Sequence, residues 1–112
     1  MVRTPEDSQV MRGLLDTLVL HLLREGDNYG FGLLRDARRW HAKPPVLHET
    51  TVYPLLRRLE KRGLLTSYRR PGARGTARKY YGVTRHGRAY LAARVDDWRR
   101  ASVILDDILR TR

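Results

Sequence analysis

One stretch, from Glu49 to Thr84, constrains the fold of this chain more than any other. It reads E-T-T-V-Y-P-L-L-R-R-L-E-K-R-G-L-L-T-S-Y-R-R-P-G-A-R-G-T-A-R-K-Y-Y-G-V-T. Val52, Leu55, Leu56 and Leu59 recur at helical spacing and form one apolar stripe. Arg57, Arg58, Lys61 and Arg62 lie on or beside the opposite face. Gly63 stops the helix. Leu64 to Arg70 and Ala77 to Val83 then read as two strands around a turn-rich segment, Pro71 to Thr76. Thr50 and Thr51 are good N-cap residues, and Pro54, which has no N–H to donate, is expected in a first helical turn. The spacing therefore predicts a helix that starts close to Thr50.

A short helix followed by a basic hairpin is the layout of a winged helix-turn-helix. The helix enters the major groove of DNA and the hairpin touches the neighbouring backbone. Thr50, Thr51, Tyr53 and Pro54 lie at the end of the helix that points at bases, and Arg57, Arg58 and Lys61 follow on its open face. Tyr53 meets a thymine methyl or a phosphate on this reading, or else packs on the wing. The hairpin carries Arg69, Arg70, Arg74, Arg78 and Lys79. They serve as phosphate anchors or a minor-groove finger, or else as charges that keep a hairpin edge in solution.

Composition agrees with an anionic partner. The chain has 112 residues, enough for one domain with a modest core, and a formal net charge of +11. Its hydrophobic content of 41% is that of a globular protein. Arginine greatly outnumbers lysine. There is no cysteine, which excludes a disulfide scaffold and a thiolate zinc site. His41, His48 and Glu49 are close together, but their spacing matches no metal motif. Ser8, Ser67 and Ser102 are scattered, without a nucleophile elbow, and Gly72 and Gly75 sit in a hairpin rather than a phosphate-cradling loop. We expect no catalysis, no cofactor and no metal. The polar start and the lack of a long apolar run predict a cytoplasmic protein without a membrane segment.

Helices flank the central motif. Gln9 to Arg24 reads as a helix with a broad apolar face, broader than one small domain covers easily. A second helix is predicted from near Tyr29 to about Trp40, with Gly30 and Gly32 in its first turn for close packing. Residues 41–48, with Pro44-Pro45, form a connecting loop. Thr84 caps a last helix that runs to about Arg110, roughly 40 Å. On it Leu91, Trp98 and Leu105 recur every seven residues, and Ala101 and Ile108 add a second position. Leu15, Leu18, Leu91, Ala101, Leu105 and Ile108 are thus expected at a homodimer interface. The fold class is mostly α with a small β-hairpin wing: a winged helix-turn-helix over residues 9–83 and a C-terminal dimerisation helix over 84–110.

The T-x-Y-P-L-L-R-R-L-E-K-R-G-L-L core, the R-K-Y-Y-x-V-T strand and the Asn28-Tyr29-Gly30 triplet resemble the PadR family of bacterial transcriptional regulators. The resemblance runs from about Val10 to Leu109. It implies a repressor on a pseudo-palindromic double-stranded operator, and a Tyr29 that approaches the DNA backbone. The segments around D-W-R-R and G-D-N-Y resemble the multidrug-sensing members, in which a tryptophan from each subunit stacks flat aromatic compounds at the dimer centre. By that resemblance Trp98, with Leu14, Val95 and Asp97, takes a small aromatic or cationic effector. The other reading of Trp98 is a large core residue at the dimer seam. Asp96, Asp97, Asp106 and Asp107 either attract a cation or balance the arginines on the same helix. A basic module that binds nucleic acid without an effector or strong sequence preference is the alternative function.

Overall fold

A computed structural model describes residues 9–40 and 47–111. The expected loop around Pro44-Pro45, with His41, lies outside the described residues, as do Met1 to Ser8. Helix α1 is Gln9–Arg24. A two-residue strand, β1 (Asn28–Tyr29), leads into α2 (Gly30–Ala37) and a 3-10 turn at Arg38–Trp40. Then follow α3 (Glu49–Lys61), β2 (Leu65–Pro71), β3 (Ala77–Val83) and α4 (Arg85–Arg110). The sheet has the order β1-β3-β2 and is antiparallel throughout, with Tyr29 opposite Tyr80 and Tyr68 opposite Tyr80 on the other side.

Two helices start within one residue of the expected place, but their first turns differ in detail. The cap of α3 is His48, in extended backbone (φ −114°, ψ 161°), and its carbonyl accepts from the N–H groups of Thr51 and Val52 at 2.9 and 2.8 Å. Thr50 and Thr51 therefore lie inside the first turn, and Pro54 lies in the second. Its ring removes the N–H that would have bonded the Thr50 carbonyl. Thr50 is exposed, so water can take that place. Tyr29 is likewise not a helical residue: it is the last residue of β1 and the cap of α2. The strand pairing with β3 holds it extended.

The core gathers around α3. Val52, Leu55, Leu56 and Leu59 are buried in one cluster with Leu15, Val19, Leu20 and Leu23 of α1, Leu33 and Leu34 of α2, Leu64 just before β2, and Leu65 and Tyr81 of the sheet. Leu91 of α4 completes it at 1% exposure. Gly63 ends α3 with φ +75°, where only glycine is relaxed. Two paired hydrogen bonds close that end, Gly63 N–H to Glu60 C=O at 2.9 Å and Leu64 N–H to Leu59 C=O at 3.0 Å. The Thr84 hydroxyl donates to the Gly63 carbonyl at 2.6 Å and accepts the Gly87 N–H at 2.9 Å, which caps α4 as expected. Gly87 itself faces the Leu64 carbonyl, and a Cβ there would lie 2.1 Å from that oxygen.

The two ends of α4 have different fates. Its first turns bury Gly87 and Leu91 in the domain, whereas Val103, Ile104, Leu105, Ile108 and Leu109 near its end are exposed. This corrects two expected interface residues. Leu15 and Leu91 belong to the chain's own core and have almost no surface left for a partner. Leu91→Ala should therefore lower the unfolding free energy by about 2–5 kcal/mol. Equilibrium urea unfolding measures the loss, and sedimentation of the folded variant should show an unchanged mass.

Candidate nucleic-acid interface

The open side of α3 is set by its buried stripe. With Val52, Leu55, Leu56 and Leu59 turned inward, Thr50, Tyr53, Pro54, Arg57 and Lys61 are exposed on the other side, and Thr51 is half-buried at the margin. Pro54, Arg57, Arg58 and Lys61 line one shallow groove along the helix. A second groove runs between Arg12 of α1 and Thr50, Thr51 and Pro54. Tyr53 is 39% exposed, and its ring lies against Gly30, where a Cβ would come within 2.4 Å of Cε1. The alternative partner for Tyr53 was the wing; it is the start of α2 instead. Gly30 is thus required for the approach of two elements. Gly32 serves similarly, facing the Asn28 side chain.

Arg58 keeps its place beside the open face, with its side chain 41% exposed, but it is tied to α1. Its guanidinium donates to Oδ1 of Asp16 on α1 at 2.6 Å, and Arg62 lies 3.7 Å from Oδ2 of the same carboxylate. Asp16 is the one buried charged residue among the described residues. A buried carboxylate needs such partners, since an isolated one is expensive to desolvate. Asp16 was not singled out from the sequence. The available signal was an acid set inside the apolar run Leu14-Leu15-Asp16-Thr17-Leu18.

The wing sorts its cations by face. Residues alternate across a strand, so Ser67, Arg69, Lys79 and Tyr81 share the side toward α3, and Tyr68, Arg70, Arg78 and Tyr80 share the outer side, joined by Tyr29. On the inner side Lys79 lies 3.7 Å from Glu60, whose other oxygen accepts the Ser67 hydroxyl at 2.6 Å. Outside, the rings form a row: Tyr29 and Tyr80 are 5.3 Å apart, and Tyr80 and Tyr68 are 6.0 Å apart. Arg78 lies over Tyr29 and Arg70 over Tyr80, each at 4.5 Å. Stacking of this kind holds a guanidinium plane in place while its N–H groups stay available. Tyr29 accordingly sits beneath an arginine. The period-2 pattern in Y-R-R and R-K-Y-Y carried this signal, once the register was known. Tyr68 donates to Asp27 at 2.6 Å, and that hydrogen bond raises its phenol above the usual range.

Arg74 occupies the tip. It has φ +65°, the only positive φ among the described non-glycine residues. A left-handed arginine is strained by about 1–2 kcal/mol, and the neighbouring Gly75 (φ +78°) shares the turn.

Of Trp98, Leu14, Val95 and Asp97, Trp98 joins α4 to α1, whereas Asp97 is exposed on α4. The indole Nε1 of Trp98 donates to Thr17 Oγ1 at 2.9 Å, and the ring lies against Gly13, whose added Cβ would be 3.3 Å from Cζ2. Trp98 is half-buried, Leu14 is 40% exposed, and Val95 packs partly on the core. Asp97 lies 3.5 Å from Arg94, and Asp96 and Asp106 pair with Arg100 and Arg110 one turn on. Those three acids balance arginines of their own helix.

Comparison with known proteins agrees with this geometry. Residues 19–93 match the family described as transcriptional regulator PadR-like. A protein of Lysinibacillus sphaericus is 33% identical over 99 residues, which is 88% of this chain and 91% of that one. A solved transcriptional regulator from Clostridium thermocellum is 35% identical, with a TM-score of 0.79 over 89% of this chain and 97% of its own. A PadR family transcriptional regulator from Eggerthella lenta is 37% identical, with a TM-score of 0.78 over 90% and 86%. A PadR-like regulator from Bacillus cereus, 26% identical, has a TM-score of 0.79 over 94% and 100%. With an open recognition helix, a basic wing and matches that span most of its length, the chain belongs to the PadR-like family of transcriptional regulators, which are DNA-binding proteins rather than enzymes.

Proposed function

We propose that this regulator is a cytoplasmic repressor that binds a pseudo-palindromic operator as a homodimer and leaves it when a small aromatic or cationic compound binds at the α1–α4 junction. Residues 9–83 are the DNA-binding part on this reading, and residues 84–110 supply the dimer contact. The observation that carries the dimer is the end of α4. Leu105, Ile108 and Leu109 are 55%, 60% and 80% exposed, with Val103 and Ile104 beside them. Exposed apolar side chains in such a cluster mark an interaction surface, and a two-fold pairing covers the same strip on both copies. Leu18 and Ala101, both half-buried, extend it toward α1. No described helix is long and apolar enough to cross a membrane.

Thr50, Thr51, Tyr53 and Pro54 meet base edges or register-fixing phosphates from the first turns of α3, and Arg57 and Lys61 reach the backbone. From the wing, Arg69 and Arg74 take phosphates directly. Arg70 and Arg78 present their N–H edges to phosphate from the tyrosine row, with Tyr29 beneath Arg78, and Lys79 adds positive field. In a dimer, two such surfaces separated by about one helical turn of DNA read two half-sites. An effector that favours a different spacing of the two α3 helices lowers operator affinity by shifting the population. Trp98 is the residue placed to sense it. Its N–H is bonded to Thr17 of α1, and the Arg94 guanidinium lies 5.9 Å from its ring centroid, where a planar ligand would compete with it for the indole.

Three outcomes test these assignments. Leu105→Asp combined with Ile108→Asp should convert the dimer to a folded monomer, read by sedimentation equilibrium at micromolar concentration. A variant that remains dimeric would move the interface elsewhere. Arg74→Gly relaxes the strained tip while removing its charge. It should keep or raise thermal stability, yet flatten the logarithmic salt dependence of duplex binding by about one unit. The third concerns Trp98. In a Trp40→Phe background its fluorescence should quench on titration with a planar cationic dye, and Trp98→Ala should abolish dye binding while the dimer persists. A salt-insensitive ratio near one between selected and random duplex would instead identify an indiscriminate basic module.

A further inference from the structure

Asp16 stands where the helix that meets α4 also grips α3 through an ion pair. Its carboxylate is 6% exposed and receives Arg58 at 2.6 Å and Arg62 at 3.7 Å, both from α3. Arg62 continues to α4, where its guanidinium lies 4.8 Å over the Tyr90 ring. The next residue of α1, Thr17, holds Trp98 of α4. Successive residues of one helix therefore contact the recognition helix and the last helix. Arg58 also borders the groove formed with Pro54, Arg57 and Lys61 on the open side of α3. It has two competing claims on its charge: the carboxylate behind it and a phosphate in front.

We propose that Asp16 is a positioning and specificity-determining residue, which withdraws Arg58 from phosphate contact and uses it to fix the pose of α3 against α1. A buried carboxylate left with one distant cation is poorly compensated, so Arg58 stays with Asp16 when DNA arrives. Short charge-assisted hydrogen bonds are directional. The Asp16–Arg58 bond thus sets the rotation of α3 about its own axis, and with it the aim of Thr50, Thr51 and Tyr53. Without it, α3 still carries the same cations but aims them less well. The protein then gains general affinity and loses discrimination. This inference rests on α3 being the element that meets DNA, and not on any effector or repressor role.

The test is a double-mutant cycle on the full chain, with two probes: a random-sequence duplex and the duplex that the parent protein selects from a random library. Arg58→Ala should leave the salt slope on random duplex unchanged, because its charge never reached a phosphate. Asp16→Asn should free Arg58 and steepen that slope by about one unit. It should also reduce the ratio of selected to random affinity by about tenfold. The double variant should return to the parent slope. A purely structural role for Asp16 predicts loss of stability and of both affinities, with no steeper slope. A flatter slope for Arg58→Ala, or an unchanged slope and ratio for Asp16→Asn, overturns the proposal. Should Asp16→Asn not fold, Arg58→Ala decides alone. An unchanged slope with a lowered selectivity supports the inference, and a slope flatter by about one refutes it. The premise fails separately: if Arg57→Ala and Lys61→Ala both leave duplex binding unchanged, α3 is not the contacting helix.

Discussion

The junction of Gly63 and Leu64 with Thr84 and Gly87 holds three functional elements in one frame. Gly63, at φ +75°, turns the chain off the recognition helix, and the Leu64 carbonyl accepts from the Thr84 backbone at 3.1 Å. The Thr84 hydroxyl then bonds Gly63 on one side and caps α4 on the other. The end of the recognition helix, the base of the wing and the start of the last helix are thereby tied within a few ångströms. Each tie uses a backbone group that a helix end or strand end would otherwise leave unsatisfied. Gly87 is the condition for this closeness, since a side chain there would strike the Leu64 carbonyl. The start of α4, the base of the wing and the end of α3 therefore share one anchoring point.

Positive charge is ordered by the fold rather than merely accumulated. A net charge of +11 on a chain of 112 residues would by itself give indiscriminate attraction. Many of the cations near the DNA side, however, already have a partner. Arg58 and Arg62 are held by Asp16, Lys79 lies near Glu60, Arg70 and Arg78 lie on tyrosine rings, and Arg62 lies on Tyr90. Aromatic stacking leaves the guanidinium edge free while fixing its plane, whereas a buried carboxylate consumes the donor. Two kinds of arginine result: Arg70 and Arg78 presented from the wing, and Arg58 and Arg62 tied to Asp16 at α3.

The α1–α4 contact lies between the core and the apolar end of α4. Trp98 is bonded to Thr17, while the acids around it pair with arginines of their own helix. Those pairs are exposed and worth little to stability. Their effect is to keep a long, partly uncovered helix soluble beside its exposed leucines and isoleucines. The same helix is thus core at Leu91, bonded to α1 at Trp98, and open surface at Leu109.

Much of this was legible in residue order alone. Gln9–Arg24 as a helix, the return strand Ala77–Val83, the Thr84 cap and the stop at Gly63 follow from local rules: apolar period, turn residues and cap chemistry act over a few neighbours. The buried stripe of α3 and the identity of its open face follow for the same reason. The cap residue of α3 did not, because threonines are good caps in general, and here the His48 carbonyl had already taken the first helical bonds. Tertiary contacts decided the rest. Leu15 and Leu91 sit at spacings that suit a seam between subunits, but the way α1 and α4 cross buries them within one chain. Arg58 lies beside the open face by periodicity, yet a carboxylate 42 residues earlier draws it inward. Helical and strand periods determine which residues share a face; only the packing of one element on another determines what that face meets, because the partners are distant in sequence and near only in the folded chain.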